Sequence, residues 1–152
     1  MITRVFGRSD ADVRPAAFIE HLHAAGLPVV PHFRGDDLGW TMCSLTLPGG
    51  GSAVQLDRYL TDADDLRADL NRFAAELETL TYSPNHVPLM AHVIQTRQLF
   101  ALRKPIDHAD EAALDRLCLT VARYLAAATD GVIQIDGQGW FSAGGELLIQ
   151  EY

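Results

Sequence analysis

Between Asp62 and Leu80, Leu66, Leu70, Phe73, Leu77 and Leu80 recur at offsets of four, three, four and three. That spacing draws one apolar stripe along a helix of 3.6 residues per turn. A helix of this kind depends on something covering its stripe, and the flanking segments supply it. Val29 to Phe33 and Trp40 to Leu47 are β-rich runs joined by the turn Arg34-Gly35-Asp36-Asp37-Leu38-Gly39, and Val54, Leu56 and Leu60 follow the break Pro48-Gly49-Gly50-Gly51. Helix and hairpin together predict an α+β protein whose antiparallel sheet carries its helices packed on one face.

The remaining elements read in the same way. Residues 2–6 form a short strand, and Pro15 opens a helix with Phe18, Ile19, Leu22 and Ala25 on one side. Gly26 and Pro28 end it. Thr61 or Asp62 caps the helix of 62–80. Residues 86–103 read as a short helix and then a strand from Val93 to Arg103. Asp107 caps a long helix over 108–129 with Leu114, Leu117, Val121, Leu125 and Ala128 on its stripe, and Gly131 ends it. Val132 to Asp136, Trp140 to Ala143 and Glu146 to Gln150 complete the antiparallel set.

Two turns share a pattern. Asp36-Asp37-Leu38-Gly39-Trp40 and Asp136-Gly137-Gln138-Gly139-Trp140 both spell D-x-x-G-W, each between two strands and each downstream of a helix closed by glycine, Gly26 or Gly131. Two tandem βαββ units, a ferredoxin-like duplication covering about 1–60 and 93–152 with helix 62–80 as the connection, would account for the match. Two unrelated tight turns would do so equally: each Asp bonding its own turn, each Gly supplying a positive φ, each Trp packing.

The chain of 152 residues has 12 Lys+Arg against 20 Asp+Glu, a net charge of −8, and 48% of it is hydrophobic. That length builds one core over 1–152 without staples. The densest basic run is Arg103-Lys104, which argues against nucleic acid and anionic membranes as partners. Cys43 and Cys118 have no metal-binding spacing and read as small buried hydrophobes, and no apolar run reaches the roughly 18 residues of a membrane span, so a cytoplasmic location is expected.

Known chemistries fit poorly. His21 and His23 diverge on a helix, and Glu20 with His23 is half of a carboxylate di-metal pattern that has no second half. His32, Asp36 and Asp37 gather at one turn, where they could serve as acid and base or ligands. The segment from Asp136 lacks the glycine and glutamate of a calcium loop, and neither cysteine has a neighbouring base. No metal or other cofactor is expected.

Charge is uneven: residues 62–78 hold six acids against two arginines, half of the net −8. Asp62, Asp65, Asp69 and Glu76 make this helix either a solvated face or a docking surface for a basic partner. The leading expectation is a non-enzymatic binding protein engaging a protein partner, or itself as a homodimer, through that helix or a free sheet edge. The alternative is a small-ligand or metal-binding pocket, or a small enzyme's site, with His32, Asp36, Asp37, Trp40, Asp136 and Trp140 around the two D-x-x-G-W turns.

Overall fold

The computed structural model describes residues 2–49, 51–106 and 110–152. Along the chain run β1 (Ile2–Gly7), α1 (Pro15–Ala24), β2 (Val30–Asp36), β3 (Gly39–Thr46), β4 (Val54–Leu60), α2 (Arg67–Glu78), α3 (His86–Ile94), β5 (Gln98–Arg103), α4 (Glu111–Ala128), β6 (Gly131–Ile135), β7 (Gly139–Phe141) and β8 (Leu147–Gln150). Among the described residues, eight strands join one sheet in the order β2-β3-β4-β5-β1-β6-β7-β8, every neighbouring pair antiparallel. The fold is α+β, as the sequence predicts.

The centre explains the three-layer build. In β1, Val5 and Phe6 are both fully buried although successive strand residues face opposite sides. Val5 lies level with Phe100 and Ile133 under α1 and α4, in a core with Phe18, Leu22, Leu117 and Leu125. Phe6 lies level with Leu99 and Val132 under α2 and α3, with Leu70, Phe73, Leu77 and Val93. The sheet is therefore covered on both faces, where one covered face was expected, because its central strands are apolar on both sides rather than alternating.

The two expected repeat units interleave. β5 is inserted between β4 and β1, and β1 between β5 and β6. After α1 the chain goes out to the edge and returns inward through β2, β3 and β4, whereas after α4 it starts beside β1 and runs outward. A tandem duplication is not confirmed by this path.

Element ends shift for local reasons. The stripe of 62–80 becomes helix only from Arg67, since Asp65 takes a left-handed φ of 53° and the Asp64 carboxylate accepts the Leu60 amide at 2.7 Å. Thr61 caps nothing there; its hydroxyl donates to the Thr96 carbonyl at 2.8 Å. The strand expected from Val93 begins at Gln98, because Val93 is fully buried on α3. Asp107 lies outside the described residues, and Asp110 caps α4 by accepting the Ala113 amide at 3.1 Å.

Candidate functional site

The structure separates the two D-x-x-G-W turns. Trp40 packs in the core under α1 and α4, Trp140 in the core under α2 and α3, so the rings occupy opposite faces. Five strand positions separate β3 from β7, about 24 Å at ordinary strand spacing. Both rings are buried, at 7% and 6% exposure. The Trp40 indole N–H donates to the Val13 carbonyl at 2.8 Å, and Trp140 packs at a tilt of 34° against Phe6 with centroids 5.1 Å apart. They share no pocket wall.

The turn residues serve local structure. Asp36 accepts the Leu38 amide of its own turn at 2.8 Å. Asp136 instead ties the start of β1, accepting the Ile2 amide at 3.2 Å and the Arg4 guanidinium at 2.7 Å. Gly39 and Gly139 both require positive φ, 110° and 134°. His32 and Asp37 are exposed, and no group of three His, Cys, Asp or Glu side chains among the described residues is placed to hold a metal ion.

Asp62, Asp65, Asp69 and Glu76 are all exposed. Arg72 lies between Asp69 at 3.9 Å and Glu76 at 3.5 Å, with its guanidinium over the Phe73 ring, which is the arrangement of a solvated helix face.

Period 2 makes one further inward residue legible: Val54, Leu56 and Arg58 share a face of β4. Arg58 is only 7% exposed, donating to the Gln98 side-chain oxygen at 3.0 Å and the Trp40 carbonyl at 3.2 Å. Burial pulls its pKa down, against the opposing charges of Asp12, Asp64 and Asp36. The structure thus brings the first turn and the start of the acidic segment to one corner around a buried cation.

The two sheet edges are finished differently. At β8 the loop between α2 and α3 closes the edge: Tyr82 donates to the Gln150 carbonyl at 2.8 Å, Asn85 to the Leu148 carbonyl at 2.8 Å and Ser83 to the same carbonyl at 3.4 Å. At β2, among the described residues, no hydrogen bond reaches the backbone from outside the β2–β3 hairpin. The Arg34 carbonyl faces β3, accepting from the Thr41 hydroxyl at 3.5 Å, so strand alternation turns the backbone of Pro31, Phe33 and Gly35 outward. An edge is where a strand tolerates proline.

Beside this edge lies an open trough of about 460 Å³ walled by Pro15, Ala16, Ile19, Glu20 and His23 of α1 and by Pro31 and Phe33 of β2. Val30, on the other side of β2, is 53% exposed. An unpaired backbone and a largely apolar lining are the two components of strand addition: main-chain bonds give affinity and pockets take alternate side chains. The outer edge of β2 and this trough are the candidate site.

No protein-family model, curated protein or solved structure matches the chain.

Proposed function

We propose that this protein works by binding, accepting an extended segment of a protein partner along the outer edge of β2 with that segment's alternate side chains in the trough under α1. The asymmetry of the two edges carries the reading: β8 is closed by three side-chain donors while β2, of seven residues, is left open beside an apolar wall. Buried free thiols at Cys43 and Cys118 fit a reducing compartment, and we place the protein in the cytoplasm. Among the described residues no helix is long and apolar enough to cross a membrane.

Ala16→Glu tests this. Ala16 is exposed, lines the trough and sits in the first turn of α1, where a carboxylate favours the helix, so the substitution blocks the site without weakening the fold. Partners captured by the wild type should be lost by the variant and kept by Ala17→Glu, an exposed neighbour outside the trough lining. Capture indifferent to Ala16→Glu would reject the reading.

A small-ligand reading loses the shared pocket and keeps two separate ones, a small cavity of about 160 Å³ at Asp36 and Arg58 and a larger groove of about 370 Å³ walled by Phe73, Tyr82, Gln134, Trp140 and Tyr152. Native mass spectrometry of protein purified without chelator separates the two readings: an extra mass surviving gentle desolvation favours these pockets, the bare polypeptide mass favours the β2 edge.

A further inference from the structure

We infer that the occupant of the β2 edge is the β2 edge of a second copy, the two sheets joining across a two-fold axis into one continuous antiparallel sheet. The inference rests on the reading of β2 as the binding edge and commits it to one partner.

Charge is the first argument. A chain of net charge −8 repels its own copies. Residues 14–36, which make α1, its following loop and β2, hold Arg14 and Arg34 against Glu20 and Asp36 and carry no net charge, so the entire excess lies elsewhere. The open edge is thus built from a neutral segment of an acidic chain, where two copies meet at least electrostatic cost. A basic partner would find its complement on α2 instead, where Asp62, Asp65, Asp69 and Glu76 are exposed.

Backbone geometry is the second. A two-fold axis normal to the sheet preserves faces, so it must lie midway between the two copies of one residue, and placing it between the Phe33 residues pairs the whole of Val30–Asp36 with its copy. Phe33 then stands opposite Phe33 of the second copy as a hydrogen-bonded pair, with Pro31 opposite Gly35 at either end. The amide missing at Pro31 removes one bond at each end and leaves about four across the junction. On the α1 side the two Phe33 rings meet between two troughs, each offering Pro15, Ala16 and Ile19. The troughs become one closed, largely apolar channel with an aromatic pair at its middle and Glu20 of each copy on its wall. On the other face Val30 of each copy, 53% exposed in one chain, is covered beside Asp36 of the other.

The test uses the full chain. Light scattering from dilute to concentrated solution should give twice the chain mass, and amide exchange at Phe33 and Gly35 should slow at least about tenfold as the dimer forms. Ala16→Glu should return the monomer with the thermal transition of wild type diluted to its monomer, and Ala17→Glu should remain a dimer. A wild type that stays monomeric when concentrated overturns the inference, as does a dimer whose Phe33 and Gly35 amides exchange as fast as in the monomer. A monomer whose capture of another protein is still abolished by Ala16→Glu would overturn the second copy as occupant and leave the β2 reading standing. Capture that survives Ala16→Glu would bring down the reading itself.

Discussion

The Tyr82 hydroxyl donates to the Gln150 carbonyl at 2.8 Å across 68 residues of sequence, fastening the α2–α3 loop along the outer strand β8. With Ser83 and Asn85 on the Leu148 carbonyl, this contact makes one end of an eight-stranded sheet terminal and leaves the other open.

Uncapping β8 should therefore give the protein a second sticky edge. Tyr82→Phe together with Asn85→Ala removes two hydrogen bonds worth about 0.5–1.5 kcal/mol each. The urea midpoint should fall accordingly, and association should extend beyond a dimer, because a chain open at both edges can propagate. Light scattering that still stops at the wild-type mass would show that the loop is not what closes β8.

Arg58 should tolerate no simple replacement. Arg58→Met leaves the Gln98 oxygen and the Trp40 carbonyl without their donor inside the protein, at a cost of about 3 kcal/mol in urea unfolding. Arg58→Lys should recover less than half of that, since an ammonium cannot reach both acceptors in the plane of the guanidinium. A double-mutant cycle with Gln98→Leu should give a coupling of about 1.5–3 kcal/mol.

Asp136 should shape the acid limb of stability. Its burial favours the protonated form, but hydrogen bonds from Arg4 and Gln134, the Arg4 charge and the Ile2 amide outweigh it and hold the carboxyl below the ordinary value of 3.8. A lowered pKa in the folded state means stability that is present above 3.8 and lost as pH falls through the folded value. With the side chain 39% exposed the effect is modest. Asp136→Asn should be about 0.5–1 kcal/mol less stable than wild type at neutral pH, and the gap should close in strong acid. A constant gap across pH would rule out the carboxylate as its origin.

The thiols should limit stability in alkali. Burial pushes Cys43 up to about 12; it pushes Cys118 up to about 11, against the lowering effect of nearby Lys104. Raised folded values mean stability that is complete below the unfolded pKa and lost as pH rises above it. Between pH 9 and the folded values each thiol should cost up to about 1.4 kcal/mol per pH unit. Neither should react with a thiol reagent at pH 8 until the protein unfolds; fast native labelling of either would contradict its burial.

The two D-x-x-G-W glycines should differ in cost. A Cβ on Gly139 would collide with the Ile149 carbonyl and lie 3.0 Å from the Glu151 amide nitrogen, all of it backbone, whereas one on Gly39 would meet only the Arg58 side chain at 3.3 Å. Both carry the positive-φ penalty of about 1–2 kcal/mol. Gly139→Ala should exceed Gly39→Ala by more than about 1 kcal/mol in thermal or urea unfolding.

Local pattern and tertiary context divide the credit for this fold at identifiable residues. The stripe Leu66, Leu70, Phe73 and Leu77, the β2–β3 hairpin and the class of fold follow from periodicity and turn chemistry, because those signals act within one element. The inward direction of Arg58 is written in the alternation of β4 in the same sense. Nothing local states that Val5 and Phe6 are both buried, which depends on which helices arrive over each face, or that Trp40 and Trp140 in matching pentapeptides face opposite sides. The exchange of β1 and β5 between the halves is a choice among long-range pairings of similar strands. The open edge is partly legible, since Pro31 and the polar His32, Arg34 and Asp36 suit β2 to an edge; that the opposite edge, β8, is closed by Tyr82, Ser83 and Asn85 is tertiary. Sequence by itself determined the elements and their amphipathic faces, whose periods are set by backbone geometry; the tertiary structure alone decided which faces and edges meet, because that depends on contacts between residues far apart in the chain.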